Sequence, residues 1–194
     1  MTDPDFAEFA RVARPLLDLV HRLTGLESTF LTRIDWDACE QEVVLALNTG
    51  DLETVEGSVV DWTDSMCRVT FLKGQEQLSD ILTDYPGSTG AERGMCTFVA
   101  VPILKGDDAL GTVCGASRRP VQVRPDAIAN MRLIAAALST QLEAHIERLA
   151  LRDRAAAAEA LASVDPRTGL ANRRAVTTRY EPEVARSGRH DTPV

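Results

Sequence analysis

The sequence contains no long apolar run, no excess of positive charge and no closely spaced pair of cysteines. No apolar stretch approaches the roughly 20 residues that a membrane-spanning helix needs, and no secretion signal follows the acidic N-terminus. The formal net charge of -8 disfavours nucleic acid or an acidic membrane surface as the main partner. We therefore expect a cytoplasmic protein with no nucleic-acid partner and no membrane.

The four cysteines are scattered along the chain, at Cys39, Cys67, Cys96 and Cys114. They form no Cys-x-x-Cys motif, and no histidine or second cysteine lies at the spacing of a zinc site. This pattern favours reduced, mostly buried thiols over a disulfide or a metal site. We therefore predict no bound metal.

The chain has 194 residues, of which 44% are hydrophobic and 26% are charged, as in one globular domain with an appendage. Apolar residues at helical spacing from Phe6 to Leu23 predict a first helix, which Pro15 is expected to kink or restart. Strands are predicted at residues 28–34, 43–47, 97–104 and 110–116, with a shorter strand at 58–62. Turn-forming residues at 105–109 predict a hairpin between two of these strands. The irregular stretch 64–94 is typical of the wall of a ligand cavity.

Residues 125–164 contain neither glycine nor proline, which predicts a helix about 60 Å long. Apolar residues and one histidine recur in it at steps of three and four, as in a heptad seam: Ile128, Met131, Ala135, Leu138, Leu142, His145 and Leu149. A helix of this length exceeds what one small domain can cover. We therefore expect a parallel homodimer through this helix, in preference to a helix that only folds back on its own sheet.

Two segments resemble motifs of GAF domains. The first segment is similar to a hairpin common in that family. It consists of Val101-Pro102-Ile103, the turn at Gly106 and then Leu110-Gly111-Thr112-Val113-Cys114. The segment Asp61-Trp62-Thr63-Asp64-Ser65-Met66-Cys67 is similar to one found in a subset of GAF domains of bacterial signalling proteins. The resemblance covers about residues 15–146. It implies an α/β (α+β) fold, with a GAF-like antiparallel sheet flanked by helices and a long C-terminal signalling helix.

The resemblance also implies a cavity beside the sheet for a small molecule of unknown identity. The residues expected to wall it are Trp62, Met66, Cys67, Phe98 and Cys114; the alternative is that these side chains only fill the core. No Cys-His pair is present to tether a bilin, and none of the three histidines, His21, His145 and His190, is placed to hold haem iron. We therefore expect no bilin, haem or other resident cofactor.

The segment from Asp165 to Arg174 (Asp-Pro-Arg-Thr-Gly-Leu-Ala-Asn-Arg-Arg) resembles the motif that opens GGDEF domains, the catalytic domains of diguanylate cyclases. Arg167 replaces the usual leucine of that motif. The residues expected to form a rigid signalling turn are Asp165, Thr168, Gly169, Leu170, Asn172 and Arg173. The Gly-Gly-Asp/Glu-Glu-Phe motif itself is absent from these 194 residues. We therefore assign no catalytic residue, expect this chain to be inactive alone, and expect GTP and Mg²⁺ only in a complete parent protein.

These patterns predict three parts. Residues 1–146 form a GAF sensory domain, residues 125–164 a long dimerising and signalling helix that overlaps its end, and residues 165–194 the incomplete start of a GGDEF domain. The expected function is that of a sensory module of a bacterial diguanylate cyclase, which binds a small molecule and controls dimer geometry in cyclic di-GMP signalling. Two alternatives stay open: a ligand-free GAF dimerisation or interaction module, and a GAF-fold redox enzyme similar to the free methionine sulfoxide reductases, whose cysteine-bearing glycine motifs this sequence lacks.

Overall fold

The structure, a computed structural model, describes residues 4–162. The helices are α1 (Pro4–Thr24), α2 (Met66–Lys73), α3 (Ile81–Asp84), α4 (Thr89–Glu92) and α5 (Pro125–Ala162), with a 3₁₀ turn at Trp62–Asp64. The strands are β1 (Ser28–Asp35), β2 (Glu40–Asn48), β3 (Val59–Asp61), β4 (Gln77–Leu78), β5 (Thr97–Lys105) and β6 (Asp108–Ser117). The signalling turn predicted at residues 165–174 and the histidine at position 190 lie outside the described residues.

The six strands form one antiparallel sheet in the order β3-β2-β1-β6-β5-β4. Strands β1 and β6 lie at its centre, where Phe30 is paired with Cys114 and Leu31 with Val113. The sheet is flanked by helices and followed by the long helix α5, which confirms the predicted mixed α/β fold. The five predicted strands are all present, each within a few residues of its expected bounds.

The predicted hairpin is formed by β5 and β6. Lys105 is paired with Asp108 at its end, and Gly106 in the turn has a φ of 60°, which glycine adopts without steric cost. Farther along β6, a Cβ atom on Gly111 would lie only 1.9 Å from the carbonyl oxygen of Thr32 on β1. The absence of a side chain at Gly111 therefore allows the two central strands to pair.

The two faces of the sheet have different covers. Successive residues of a strand point to opposite faces, so Thr29 and Leu31 of β1 share one face while Phe30 and Thr32 share the other. On the first face, the Thr29 hydroxyl donates a hydrogen bond to the carbonyl of Leu17 on α1, at 3.1 Å. On the second face, Phe30 belongs to a buried cluster with residues of α2 and of the segment that follows it.

Helix α1 runs without a break through Pro15, so it does not restart there, and the kink expected as the other outcome stays a prediction. A proline inside a helix removes one hydrogen bond and costs about 3 kcal/mol. Here Ala13, Leu17 and Val20 are at most 1% exposed, and their burial against the sheet offsets that cost. Pro15 itself lies on the exposed face of the helix.

Most of the heptad seam of α5, from Met131 to His145, packs within a single chain. Leu138 and Leu142 are 0% exposed, and the imidazole of His145 stacks on the ring of Phe9 of α1 with 4.9 Å between ring centroids. The prediction that these seam residues face a second copy of the chain is therefore wrong. Helix length alone could not reveal that α1 and the sheet already cover this face.

None of the described helices is both long enough and apolar enough to cross a membrane. The part of α5 that follows His145 belongs to a separate unit of the chain, and residues 150–155 in it are exposed.

Candidate functional site

Two successive caps fix the start of α2 against the sheet. The Asp61 carboxylate accepts a hydrogen bond from the Thr63 amide at 2.7 Å, and the Ser65 hydroxyl accepts one from the Arg68 amide at 3.1 Å. Helix N-terminal amides lack partners within the helix, so a side-chain oxygen before the first turn stabilises it. The next two residues, Met66 and Cys67, are thereby held with their side chains buried.

A small cavity of about 50 Å³ opens to solvent between the start of α2 and the sheet. Its apolar lining comes from Phe30, Val43, Val60, Met66, Met95 and Phe98. Its polar lining includes Thr32, Gln41, Thr54, Ser65, Cys67, Thr89 and Arg93. Most of the surface exposed in the cavity is nevertheless apolar, as is usual for small-molecule sites.

The five residues predicted to wall the cavity all belong to one buried cluster, but they do not all reach the cavity. Met66, Cys67 and Phe98 line it. Trp62 packs edge-on against Trp36, with ring centroids 5.2 Å apart, and does not line the cavity. Cys114 lies behind Cys67.

Other lining residues were not predicted from the sequence. Gln41 is only 3% exposed although it is polar, and it lies on β2 two residues before the predicted start of that strand. Phe30 and Thr32 follow the alternation of β1, which shows that they share a face but not that this face carries a cavity. Arg93 follows α4, whose four residues are too few to show a helical period.

A buried polar cluster forms the base of the cavity. The hydroxyls of Thr32 and Thr112 lie 2.6 Å apart, and the Gln41 amide Nε2 donates to them at 2.7 and 3.2 Å. The Gln41 amide oxygen makes no hydrogen bond to the described residues. Because Gln41 lines the cavity, a hydrogen-bond donor that enters it meets this amide.

The thiols of Cys67 and Cys114 complete this base. Their Sγ atoms lie 3.4 Å apart, and the Thr112 hydroxyl lies 3.4 Å from the first and 2.9 Å from the second. Burial alone would raise the pKa of Cys67, but hydrogen bonds from Cys114, Thr112 and Gln41 outweigh it and lower that pKa. Burial and the neighbouring Cys67 raise the pKa of Cys114 well above its usual value. These contacts therefore favour the ionised form of Cys67.

The other two cysteines lie apart from this pair. Cys96 is buried, whereas Cys39 is exposed in the turn between β1 and β2, with a φ of 58°. All four are free thiols. Within residues 4–162 no three histidine, cysteine or acidic side chains come together as a metal site would require.

Neither described histidine lines the cavity. His21 lies near the end of α1, where its Nδ1 is 2.9 Å from the carbonyl oxygen of Leu26, and His145 stacks on Phe9. Both lie among helix residues, as the sequence led us to expect.

The chain is similar to known proteins of one family. Residues 8–142 match the GAF domain family. The chain is 34% identical over 170 residues to the diguanylate cyclase DgcP of Escherichia coli K12. That similarity covers 85% of this chain and 49% of the cyclase, so the chain spans about half the length of the curated relative it matches.

Solved structures of low identity share the fold alone. A type II free methionine-R-sulfoxide reductase from Thermoplasma acidophilum superposes with a TM-score of 0.57 at 9% identity, over 71% of this chain and 94% of that one. The GAF domain of a two-component sensor histidine kinase from Bacillus halodurans gives 0.56 at 13% identity, over 72% and 96% of the two chains. With most of its length matched and the fold in agreement, this chain belongs to the GAF domain family, and it is related to a diguanylate cyclase.

Proposed function

We propose that this chain is the ligand-binding regulatory module of a diguanylate cyclase. The observation that carries the proposal is the open cavity between α2 and the sheet, whose apolar walls end on the polar base around Gln41. Its mostly apolar exposed surface, with a few convergent polar groups, is what small-molecule sites have in common.

The lining indicates the chemistry of the ligand. Phe30, Phe98 and Met95 offer apolar contacts to the body of a small molecule. The amide oxygen of Gln41 suits a hydrogen-bond donor on that molecule. A compact molecule with an apolar body and one donor group at its inner end fits both features.

The link to a cyclase is supported by where the similarity to DgcP ends. A continuous alignment that covers 85% of a 194-residue chain must reach about residue 165, wherever it starts. It therefore continues past the GAF domain and along α5. We propose that α5 passes the state of the cavity to a cyclase domain that begins at Asp165, and that GTP and Mg²⁺ act only there.

We also propose that the chain forms a parallel homodimer, through the outer face of α5. The seam around Leu142 is already covered within one chain, whereas Leu133 is 70% exposed. A second copy is a natural cover for that leucine, since cyclases of this kind must bring two GTP-binding domains together to make their product.

Native mass spectrometry of protein purified from the expressing cells tests ligand binding. We expect a non-covalent adduct of a small molecule that is retained by the control Glu92→Gln, an exposed position on α4. Gly90→Ala should lose the adduct, because a Cβ atom there would lie 2.8 Å from Cγ and Sδ of Met66 and push that side chain into the cavity. Gln41→Leu should weaken it by removing the acceptor.

Two results would count against the proposal. An adduct kept by both Gly90→Ala and Gln41→Leu would place the ligand elsewhere. The reading frame of the gene beyond codon 194 tests the cyclase assignment separately: we expect a Gly-Gly-Asp/Glu-Glu-Phe motif, and a stop codon directly after Val194 would contradict it.

A further inference from the structure

Two thiols meet at the base of the cavity without being bonded. The Sγ atoms of Cys67, in the first turn of α2, and Cys114, in the middle of β6, lie 3.4 Å apart. A disulfide holds its sulfurs about 2.05 Å apart, so the bond requires an approach of roughly 1.3 Å. Rotation of the two cysteine side chains about their Cα–Cβ bonds is the movement required.

The two thiols differ in access. Cys67 lines the cavity, whereas Cys114 is 0% exposed and does not line it. A small reagent that enters the cavity therefore reaches Cys67 first. The hydrogen bonds that lower the pKa of Cys67 also favour its thiolate, the form of cysteine that reacts with oxidants.

We propose that Cys67 and Cys114 form an oxidation site at which a peroxide that enters the cavity produces an intramolecular disulfide. The Cys67 sulfur attacks one oxygen of hydrogen peroxide; an S–O bond forms, the O–O bond breaks, and the leaving oxygen departs as water. The Cys114 sulfur then attacks the resulting sulfenic acid; an S–S bond forms, the S–O bond breaks, and a second water leaves. The two cysteines together lose two electrons and two protons, and hydrogen peroxide is reduced to two molecules of water.

The disulfide would act on the whole wall of the cavity. It joins α2 directly to β6 across a separation of 47 residues, and that stretch contains most of α2 and all of β4, α3, α4 and β5. A cross-link that closes a long loop restricts the opening of the segment it encloses. It also withdraws the Cys67 sulfur from the cavity surface. None of this requires that the cavity bind another ligand, so the inference is independent of the proposed function.

Peptide mapping of the peroxide-treated protein tests the inference. The reduced, full-length chain is exposed to hydrogen peroxide, denatured, alkylated with N-ethylmaleimide and digested. We expect a linked Cys67–Cys114 peptide pair, a mass loss of about 2 Da before alkylation, and complete reversal by dithiothreitol. The control Cys96→Ser changes another buried cysteine and should keep the link.

Variants separate the two steps. Cys114→Ser should stop the reaction at Cys67 as a sulfenic acid, seen as a gain of about 16 Da and as a dimedone adduct. Cys67→Ser should leave Cys114 unoxidised at the same peroxide dose. If Cys114 instead reacted first, or if the link joined Cys67 to Cys39 or Cys96, the inference would be overturned.

A wild-type protein that keeps its native circular dichroism and shows no link would also overturn it. That measurement needs no variant, so the inference stays testable even where a serine substitution prevents folding.

Discussion

Glu27 is a charged residue at a buried position, only 7% exposed, just before β1. The Nε atom of Arg119 donates to its carboxylate at 2.8 Å, and the Arg118 amide donates to it as well. Burial alone would raise the pKa of Glu27, but the hydrogen bonds from Arg119, the Arg118 amide and Ser117 outweigh it and lower that pKa. The fold therefore favours the ionised form, which joins the start of β1 to the segment after β6.

Glu27→Gln should make stability less dependent on pH. Because the pKa of Glu27 is lower in the folded than in the unfolded chain, its stabilisation is present above the ordinary value of about 4.3 and is lost as the pH falls through the folded value. Arg119 is largely exposed, so we expect a loss of only about 1 kcal/mol at pH 7 and a smaller difference at pH 3. Urea unfolding of both proteins at the two pH values measures this. An equal difference at pH 7 and pH 3 would show that the charge of Glu27 contributes nothing.

A methyl group at Gly111 should separate the two central strands. Its Cβ atom would overlap the Thr32 carbonyl oxygen, and backbone atoms cannot move aside as a flexible side chain does. We expect Gly111→Ala to destabilise the protein by about 3 kcal/mol. Gly106→Ala is the control in the same hairpin. A Cβ atom at this position meets open space, so we expect the substitution to cost only the strain of a positive φ, about 1 kcal/mol. Thermal unfolding of the two variants compares them, and a similar loss in both would contradict the overlap.

At the scale of elements, the sequence predicts the strands and helices that are long enough to show a residue pattern. The four long strands, β1, β2, β5 and β6, and the first and last helices extend over enough residues to show strand-forming composition or helical spacing. Strand β4 has two residues and α3 and α4 have four each, so no period can appear in them, and they form because β5 and the cavity wall hold them. Gln41 was missed because a polar residue at the start of a strand carries no hydrophobic signal.

A helical period in the sequence also cannot predict which surface covers the apolar face of a helix. The seam of α5 at steps of three and four is the pattern of a dimer interface and equally of a helix packed on its own domain. Likewise, the motif around Trp62 indicated a cavity wall, but which side chains point inward depends on the caps at Asp61 and Ser65. The candidate site was therefore predicted in its location and only partly in its residues.

Substitutions on the two faces of α5 should separate folding from association. Leu142→Arg places a charge at a position that is 0% exposed, and we expect a loss of about 3–5 kcal/mol in the free energy of unfolding. Leu133→Glu changes a position that is 70% exposed and should leave the thermal midpoint nearly unchanged. If the dimer forms through the outer face, Leu133→Glu should also shift the mass in light scattering from dimer to monomer. A wild-type monomer over a wide concentration range would contradict the proposed dimer.

At the scale of the molecule, one ion pair connects the cavity wall with α5. Glu76 follows the end of α2, and its carboxylate accepts two hydrogen bonds from the Arg132 guanidinium on α5, at 2.6 and 2.5 Å. Its carbonyl accepts a third from the Ala100 amide of β5, at 2.9 Å. Paired hydrogen bonds of this kind fix direction as well as distance. We therefore predict that a displacement of α2 acts on the first half of α5 through this pair.

Hydrogen–deuterium exchange of residues 125–145 tests this connection. Gly90→Ala should displace Met66 at the start of α2, and if α2 moves with it, the exchange rates in this part of α5 should change by a few-fold. Adding Glu76→Gln should suppress that change, because the pair with Arg132 then loses its charge and one acceptor oxygen. The control Glu56→Gln breaks the pair with Arg14 of α1, which has no part in the route from α2 to α5, and should leave the response to Gly90→Ala intact. If Gly90→Ala altered the exchange rates of α5 equally with and without the Glu76→Gln substitution, this ion pair would not be the connection between α2 and α5.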